Sequence, residues 1–405
     1  MHMYNLQVLA LSRRQHHHYA PLLAHFPIIE IDDWSLDEVV KHNPDILITL
    51  SGDWYEAYAC IQVAKEKQIP TLLIMDGIIE WRHEWEDPVY GAGGGIAYYQ
   101  PVVTDKIACL GWQTARILEG WGNIGKCEIV GAARFDSYLN DPIPPPTHEG
   151  PKRLLIMTAN TPGFTPLQID LVEQSLLDVK DYLSQQDDWK PIWRVRKGLD
   201  QKLGLTDEFP HLRTQSLRDA LASADAVLTT PSTTLLEAML SGRPTAILDY
   251  SNSPPYVNAA WMITACKHIS VVLEKMKTPE QSRMVYQDEI LHNNLECYTP
   301  ALPRLAMLIK EMAEIGRKAR ENGNELQFPD RIVPIEFGGH AVMSKNFDLA
   351  KLYPNHPVYT NHDLVALQTA LTHTNTEISE LKRQLKKLKQ RSILSTLARR
   401  ILRRY

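Results

Sequence analysis

Residues 226–250 read Ala-Val-Leu-Thr-Thr-Pro-Ser-Thr-Thr-Leu-Leu-Glu-Ala-Met-Leu-Ser-Gly-Arg-Pro-Thr-Ala-Ile-Leu-Asp-Tyr and decide the fold class. The opening apolar run is typical of a parallel strand buried on both faces, and hydroxyl residues follow where a helix must begin. Gly242 ends that helix as a C-cap, and Pro244 prevents its continuation. The stretch therefore predicts a strand–helix–strand unit of a nucleotide-binding α/β protein.

The turn before this helix predicts a phosphate site. Its open amides and the helix dipole attract an anion, and its hydroxyls belong to Thr230, Ser232, Thr233 and Thr234. Glu237 lies about one turn into the helix, where a carboxylate can reach the hydroxyls of a ribose beyond the phosphates. An ordinary capped core helix is the alternative interpretation.

The segment Ser-Thr-Thr-Leu-Leu-Glu-Ala at 232–238, followed by Gly-Arg-Pro and a strand, resembles the donor-nucleotide motif of GT-B glycosyltransferases and their relatives. Those relatives include the non-hydrolysing UDP-sugar 2-epimerases, lipid A disaccharide synthase and the CDP-glycerol and capsule transferases. A second likeness to the epimerase and transferase group lies at residues 131–136, where the predicted strand at 128–130 is followed by Gly-x-x-Arg-Phe-Asp. The resemblance covers roughly residues 1–320 and implies an α/β fold with two Rossmann-like domains facing across a cleft.

Composition agrees with a globular protein of two domains and an extension. The 405 residues exceed one ordinary core, and 44% are hydrophobic while 22% are charged. No apolar run approaches the roughly 20 residues that span a bilayer, and no secretory signal opens the sequence. Five scattered cysteines without a Cys-x-x-Cys pair favour reduced thiols, no structural zinc and a cytoplasmic location.

Apolar runs and turn residues predict the order of the elements. Further strands are expected at 6–11, 27–31, 45–50, 71–75, 106–110, 128–130, 153–157 and 191–195. We expect an N-terminal Rossmann-like acceptor domain at 1–140, a proline-rich linker at 141–150 and a C-terminal Rossmann-like nucleotide-donor domain at 151–325. A loop-rich connection at 326–362 is expected to follow, and then a coiled-coil helix at 363–391 and a basic amphipathic tail at 392–405.

The densest group of ionisable and aromatic residues follows the predicted strand 71–75, at the edge of the sheet where open α/β proteins bind ligands. We predict that Asp76, Glu80 or His83 is the catalytic base, since a partly desolvated carboxyl group or an imidazole can accept a proton near neutral pH. The CDP-glycerol transferases have a His-Gly pair at the similar place, whereas this chain has Asp76-Gly77. That difference prevents a direct transfer of the histidine's role.

Acceptor contacts are predicted for Trp81 and Arg82 of this loop and for His17 after the first strand. A salt-bridged loop with tryptophans as packing anchors is the alternative for the first two. His17 belongs to a run of three histidines after the first strand, and adjacent residues do not converge on one ion. We therefore predict no metal site, and a solvated loop is the alternative for His17.

The predicted strand at 191–195 ends in Arg194, Arg196 and Lys197. Arg194 and Arg196 share one face because side chains alternate along a strand. Related transferases carry an Arg-x-His-Pro segment here that contacts the donor. Cations beside a diphosphate stabilise the leaving group, which a metal-independent transferase must do without Mg²⁺. A basic strand end exposed to solvent is the alternative.

The C-terminal region has a different pattern. Heptad positions are filled by Leu364, Leu371, Ile378 and Leu385 and by Leu367, Thr374, Leu381 and Leu388. They predict a coiled coil that forms a homo-oligomer, or a long helix docked on its own chain.

The charge of the chain is divided unevenly. Residues 382–405 contain ten Lys or Arg and no acidic residue, so the net charge of the preceding residues is −15. We predict that the tail binds an anionic membrane and that the acidic body binds no nucleic acid; a solvated tail is the alternative.

These features predict a metal-independent glycosyltransferase that moves a sugar or related group from a nucleotide-activated donor to a cell-surface glycan or lipid-linked precursor. It would need no cofactor besides its nucleotide-sugar substrate and would be cytoplasmic, peripheral on the inner face of the plasma membrane. Two alternatives stay open. One is a non-hydrolysing nucleotide-sugar 2-epimerase, which needs no acceptor, and the other is a catalytically inactive GT-B-like scaffold.

Overall fold

The computed structural model describes residues 6–11, 13–31, 35–50, 55–89, 99–205, 215–334, 347–354, 373–374 and 376–385. The chain divides into two compact units, Met1–Asn346 and Phe347–Tyr405. The first unit contains two parallel sheets with helices between their strands. This confirms the predicted α/β architecture of two Rossmann-like halves.

The N-terminal sheet has six parallel strands in the order β2-β1-β3-β4-β5-β6. Their bounds are β1 Val8–Leu11, β2 Ile28–Ile31, β3 Ile46–Thr49, β4 Thr71–Ile74, β5 Lys106–Cys109 and β6 Cys127–Ile129. Most of their side chains are buried because helices cover both faces, which is why these strands read as continuous apolar runs.

The C-terminal sheet has five parallel strands in the order β11-β10-β9-β7-β8. Their bounds are β7 Lys152–Met157, β8 Trp189–Arg194, β9 Ala226–Thr229, β10 Thr245–Leu248 and β11 Trp261–Ile263. Residues 226–250 thus supply β9, β10 and the helix between them, at the centre of this sheet. β11 is an additional edge strand that the sequence pattern did not predict.

The helices of the first unit connect these strands. They are α1 Leu36–His42, α2 Tyr55–Glu66, α3 Trp112–Gly120, α4 Asp136–Asn140, α5 Pro166–Leu183, α6 Leu199–Lys202, α7 Leu217–Ala222, α8 Thr234–Leu240, α9 His268–Lys277, α10 Gln281–Asn294 and α11 Ala301–Asn322. Short 3₁₀ or π turns lie at Arg13–His18, Ala20–Ala24, Arg82–Glu86 and Ala133–Phe135. No helix in the described part of the chain is long and apolar enough to cross a bilayer.

Helix α11 returns from the C-terminal half to the N-terminal sheet. Leu308 and Met312 are buried in one apolar cluster with Val8 and Ile46 of that sheet. The start of the helix is held by Asp136, whose carboxylate accepts hydrogen bonds from the first two backbone N–H groups of α11 at 2.7 and 2.8 Å. Such a cap satisfies donors that a helix N-terminus otherwise leaves open.

The second unit contains helix α12, Leu349–Leu352, and a helical run at 376–385. Three predicted heptad residues in that run, Ile378, Leu381 and Leu385, are 42%, 62% and 54% exposed. Most of the predicted coiled coil at 363–391 and all of the tail at 392–405 lie outside the described residues, so the coiled coil stays a prediction.

Candidate functional site

The carboxyl ends of the two sheets meet at the loop that follows β4. The backbone N–H of Ile78 donates to Thr233 Oγ1 at 3.1 Å, so the N-terminal loop lies directly against the turn before α8. Gly77 makes this approach possible, since a Cβ there would be 2.3 Å from the same oxygen. The predicted acceptor loop and the predicted donor turn therefore form opposite walls of one site.

Glu80 and Arg82 form a buried ion pair within this loop. Arg82 is 1% exposed and its Nε donates to Glu80 Oε1 at 2.6 Å. Its Nη1 donates to the carbonyl of Pro162 at 3.1 Å and lies 3.8 Å from Asp249 Oδ1. Burial raises the pKa of Glu80, although the Arg82 charge opposes the shift. Arg82 thus ties the N-terminal loop to the C-terminal half.

His83 is surrounded by acidic groups. Burial lowers the pKa of its imidazole, but the carboxylates of Glu84, Asp87 and Glu80 together raise it above its usual value. His83 Nδ1 and Glu84 Oε1 are 3.3 Å apart. The acidic surroundings thus make the imidazole a stronger base than burial alone would, and its role as acid or base stays a prediction.

His17 and Asp76 lie together beside Arg134. Arg134 Nη2 donates to the backbone carbonyl of Asp76 at 2.8 Å. Burial lowers the pKa of His17, with Arg134 acting in the same direction and the Asp76 carboxylate opposing it. His17 is exposed, whereas the neighbouring His18 is buried. His17 and Asp76 thus lie at the ends of β1 and β4, and both interact electrostatically with Arg134.

Arg134 also reaches the donor wall, where it interacts electrostatically with Glu237. Burial raises the pKa of Glu237, while Arg134, Tyr138 and Arg194 all oppose the shift. Tyr138 Oη donates to Glu237 Oε1 at 3.1 Å. The candidate ribose-binding carboxylate is therefore flanked by two guanidinium groups and a phenol.

Arg134 and Tyr138 were not among the predicted site residues. The available signal was the position of Arg134 in the Gly-x-x-Arg-Phe-Asp segment directly after β6, at the same sheet edge as Asp76. Residues at the carboxyl ends of parallel strands are the usual ligand-binding residues of an open α/β sheet.

The hydroxyls of the donor turn have different partners. Thr230 is fully buried, and its Oγ1 accepts the backbone N–H of Ala159 at 2.8 Å, so this hydroxyl joins two strand ends. Ser232 and Thr234 contact each other through their hydroxyl oxygens at 2.6 Å. These two side chains are half-buried at the start of α8, next to Thr233.

The basic residues after β8 form the outer part of the donor wall. Arg194 Nη1 donates to the carbonyl of Gln215 at 2.9 Å, and burial lowers its pKa while Glu237 opposes the shift. Arg196 and Lys197 are exposed. Among the described residues, no three His, Cys, Asp or Glu side chains come together as metal ligands.

A small cavity lies between the loop after β4 and the loop after β10. It has a volume of about 20 Å³ and is lined by Ile78, Glu80, Arg82, Asp249 and Tyr256, among others. That volume holds about one water molecule. Arg134, Arg194 and Glu237 do not line it, so it is distinct from the predicted nucleotide site.

Comparisons with solved structures identify the fold. Similar structures include Staphylococcus aureus MnaA with UDP, at 13% identity and a TM-score of 0.53, where 76% of this chain covers 96% of MnaA. The UDP-GlcNAc 2-epimerases of Neisseria meningitidis and Methanocaldococcus jannaschii have 12% identity and TM-scores of 0.52 and 0.50, with 76% of this chain covering 99% of each. The chain has the GT-B fold. No protein-family model and no curated protein matches the sequence.

In this GT-B chain the loop after β4 lies against the turn before α8, and the donor and acceptor roles of the two segments stay predictions. Identities of 12–13% establish the shared fold. The fold supports more than one reaction, so the activity must be argued from the side chains of the site.

Proposed function

We propose that this protein is a glycosyltransferase that moves a sugar or related group from a nucleotide-activated donor to an acceptor hydroxyl without a metal ion. The position of Arg134, between Asp76 on one wall and Glu237 on the other, carries the proposal. Asp76 can accept a proton, Arg134 can offset the charge of a phosphate, and the Glu237 carboxylate suits ribose hydroxyls.

In the proposed reaction, Glu237 accepts hydrogen bonds from the ribose, and Arg134 and Arg194 lie beside the diphosphate. The acceptor oxygen forms a bond to the anomeric carbon as the bond between that carbon and the phosphate oxygen breaks, and the nucleotide leaves with the bonding electrons. Asp76, or the neutral His17 beside it, removes the proton of the attacking acceptor hydroxyl. The guanidinium groups stabilise the charge that develops on the leaving phosphate.

Opening of the cleft precedes this reaction. The loop after β4 is hydrogen-bonded to the C-terminal half through Ile78 and Arg82, and Ile78 contacts Thr233 of the predicted phosphate-binding turn. Donor binding must therefore break these contacts or displace the loop, and closure over the donor then excludes water from the reacting atoms.

The second candidate is a nucleotide-sugar 2-epimerase, which is supported by the epimerases among the similar solved structures. The same Asp76 or His17 could remove a proton from carbon instead of from an acceptor. Incubation with UDP-GlcNAc alone separates the candidates, because an epimer then forms without any acceptor. A transferase leaves the sugar configuration unchanged in that experiment.

Nucleotide binding tests the proposal most directly. We expect one of UDP, CDP, GDP or CMP to raise the unfolding temperature of the full chain, since a ligand of the native state stabilises it by mass action. Activity should survive EDTA and should be lost in Asp76→Asn and Glu237→Ala. Normal product formation in both variants would reject the roles given to Asp76 and Glu237, whereas a wild-type chain that binds no nucleotide and forms no product would support the inactive-scaffold alternative and end the transferase proposal.

We also propose that the acceptor is a cell-surface glycan or its lipid-linked precursor, with the protein at the cytoplasmic membrane surface. The ten uncompensated positive charges from Lys382 onward support this. Anionic vesicles should sediment the full chain, less strongly as salt increases. Unchanged sedimentation after removal of residues 382–405 would contradict the proposal.

A further inference from the structure

Four aromatic side chains meet at the mouth of the cleft. Trp81 and Trp85 come from the loop after β4, Trp121 from the end of α3, and Tyr256 from the loop after β10. The ring centroids of Trp81 and Trp85 are 5.7 Å apart, and Tyr256 lies 5.9 Å from both Trp81 and Trp121. Trp85 and Trp121 are also 5.9 Å apart, so residues of both halves form one aromatic cluster.

The indole N–H groups of Trp81 and Trp85 already have partners. Trp81 Nε1 donates to Glu86 Oε1 at 3.0 Å, and Trp85 Nε1 donates to Tyr256 Oη at 3.1 Å. Trp85 is nevertheless 45% exposed. The surface that remains open to a ligand is therefore largely the apolar surface of an indole whose N–H is satisfied.

Strand order decides which part of a substrate reaches the cluster. Arg194 ends β8, Glu237 lies on the helix after β9, and Tyr256 follows β10, which is on the other side of β9 from β8. A nucleotide bound between Arg194 and Glu237 occupies the β8 side. The aromatic cluster lies on the opposite, β10 side, and two of its rings belong to the loop after β4 that begins near Asp76.

We propose that Trp85 and Tyr256 form an acceptor subsite that binds a pyranose ring of an oligosaccharide. The apolar C–H face of the pyranose packs on the Trp85 indole, as aromatic groups pack on other flat apolar surfaces. Hydroxyls at the ring edge meet Glu86, an exposed carboxylate whose Oε2 accepts from Gln168 Nε2 at 2.5 Å. This subsite deepens the proposed transferase function and rests on it.

The test is calorimetric titration of the full chain with three soluble probes, chitotetraose, cellotetraose and maltotetraose. We expect at least one to bind, and Trp85→Ala to weaken its binding roughly tenfold. Trp85→Phe, which keeps an aromatic face, should retain affinity within roughly threefold. Tyr286→Ala is the matched control, because Tyr286 is also an exposed aromatic residue, at 42%, but lies on α10 outside the cluster.

The outcomes separate the subsite from the reaction. The subsite proposal is overturned if no tetrasaccharide binds the wild-type chain or if Trp85→Ala binds it as tightly as wild type does. Titration with UDP, CDP and GDP is run in parallel, and Trp85→Ala should bind the preferred nucleotide normally. Tetrasaccharide binding without any nucleotide binding would instead reject the transferase function and leave a carbohydrate-binding surface at Trp85.

Discussion

Tyr138 donates a hydrogen bond to the Glu237 carboxylate at 3.1 Å. Tyr138 lies on α4, directly after the N-terminal sheet, and Glu237 lies on α8 of the C-terminal half. The contact therefore orients the candidate ribose-binding carboxylate from the opposite half of the site. Burial and the Glu237 charge raise the pKa of Tyr138, so the phenol keeps the proton that it donates.

Removal of this hydroxyl should weaken nucleotide binding while the fold is retained. In Tyr138→Phe the ring still fills its site, but Glu237 loses one donor that holds it in place. A hydrogen bond to a charged group is worth about 1.5 kcal/mol, which corresponds to a roughly tenfold higher dissociation constant. Calorimetric titration with the preferred nucleotide measures the change. Tyr182→Phe, on α5 away from the site, serves as the control, and equal affinity in both variants would contradict the orienting role.

Glu237→Gln should lose nucleotide affinity and gain stability at neutral pH. The folded-state pKa of Glu237 is raised, chiefly by burial, so its ionised form is less favourable in the folded chain than in the unfolded chain. The stability that Glu237 contributes is fully present below its pKa in the unfolded chain, and it is lost as pH rises through its pKa in the folded chain. Urea unfolding should therefore show a stability gain for the variant at pH 7 that shrinks toward pH 4. A variant less stable than wild type at pH 7 would show that the charges of Arg134 and Arg194 outweigh burial.

The sheet strands were predictable because burial on both faces leaves a continuous apolar signature. The predicted strand at 71–75 and the observed Thr71–Ile74 agree within one residue, and the one at 106–110 corresponds to Lys106–Cys109. Trp261–Ile263 escaped prediction because three residues are too few to show a pattern, whereas the equally short β6 was recognised from the Gly-x-x-Arg-Phe-Asp segment that follows it. The turn at Arg82–Glu86 escaped because its charged sequence has no apolar period.

The site was only partly predictable for a different reason. Strand ends identify which loops line a cleft, and on that basis Asp76 and Glu237 could be named from sequence. The contacts of Arg134 with both walls depend on how the two halves close, and no local pattern encodes that closure. The same holds for Arg82, whose partner Pro162 is 80 residues away.

Two neighbouring residues of the segment after β6 should give opposite phenotypes. Asp136 caps α11, so Asp136→Ala should lower the free energy of unfolding by about 1–2 kcal/mol. Its effect on nucleotide affinity should be small. Arg134→Gln should instead weaken nucleotide binding at least tenfold and change the free energy of unfolding less than Asp136→Ala does. The reason is that the Arg134 guanidinium interacts with Glu237 in the predicted site. Urea unfolding and calorimetry on both variants check the separation, and similar effects of both on affinity would refute it.

The contact between Gly77 and Thr233 should be sensitive to one added methyl group. In Gly77→Ala the new Cβ forces the Thr233 hydroxyl to rotate away from the Ile78 N–H. We expect a loss of about 1 kcal/mol in the free energy of unfolding, the value of that hydrogen bond. A double-mutant cycle with Thr233→Ala measures the coupling, since the second substitution removes the obstructing oxygen. Additive effects would mean that the two walls do not meet at this point.

His18 should make the protein less stable as the solution becomes acidic. Burial lowers the pKa of His18 to about 3, with the Arg134 and His17 charges acting in the same direction, against an ordinary value of 6.5. Because the folded pKa is depressed, the unfolded chain binds a proton that the folded chain does not as pH falls below 6.5. Stability from His18 is therefore present above that pH and declines toward pH 3, by up to about 1.4 kcal/mol per pH unit.

Urea unfolding between pH 6.5 and 4.5 should show a shallower decline in His18→Gln than in wild type. His373→Gln, whose side chain is 78% exposed, is the control and should keep the wild-type slope. Equal slopes in all three proteins would show that His18 is protonated in the folded chain.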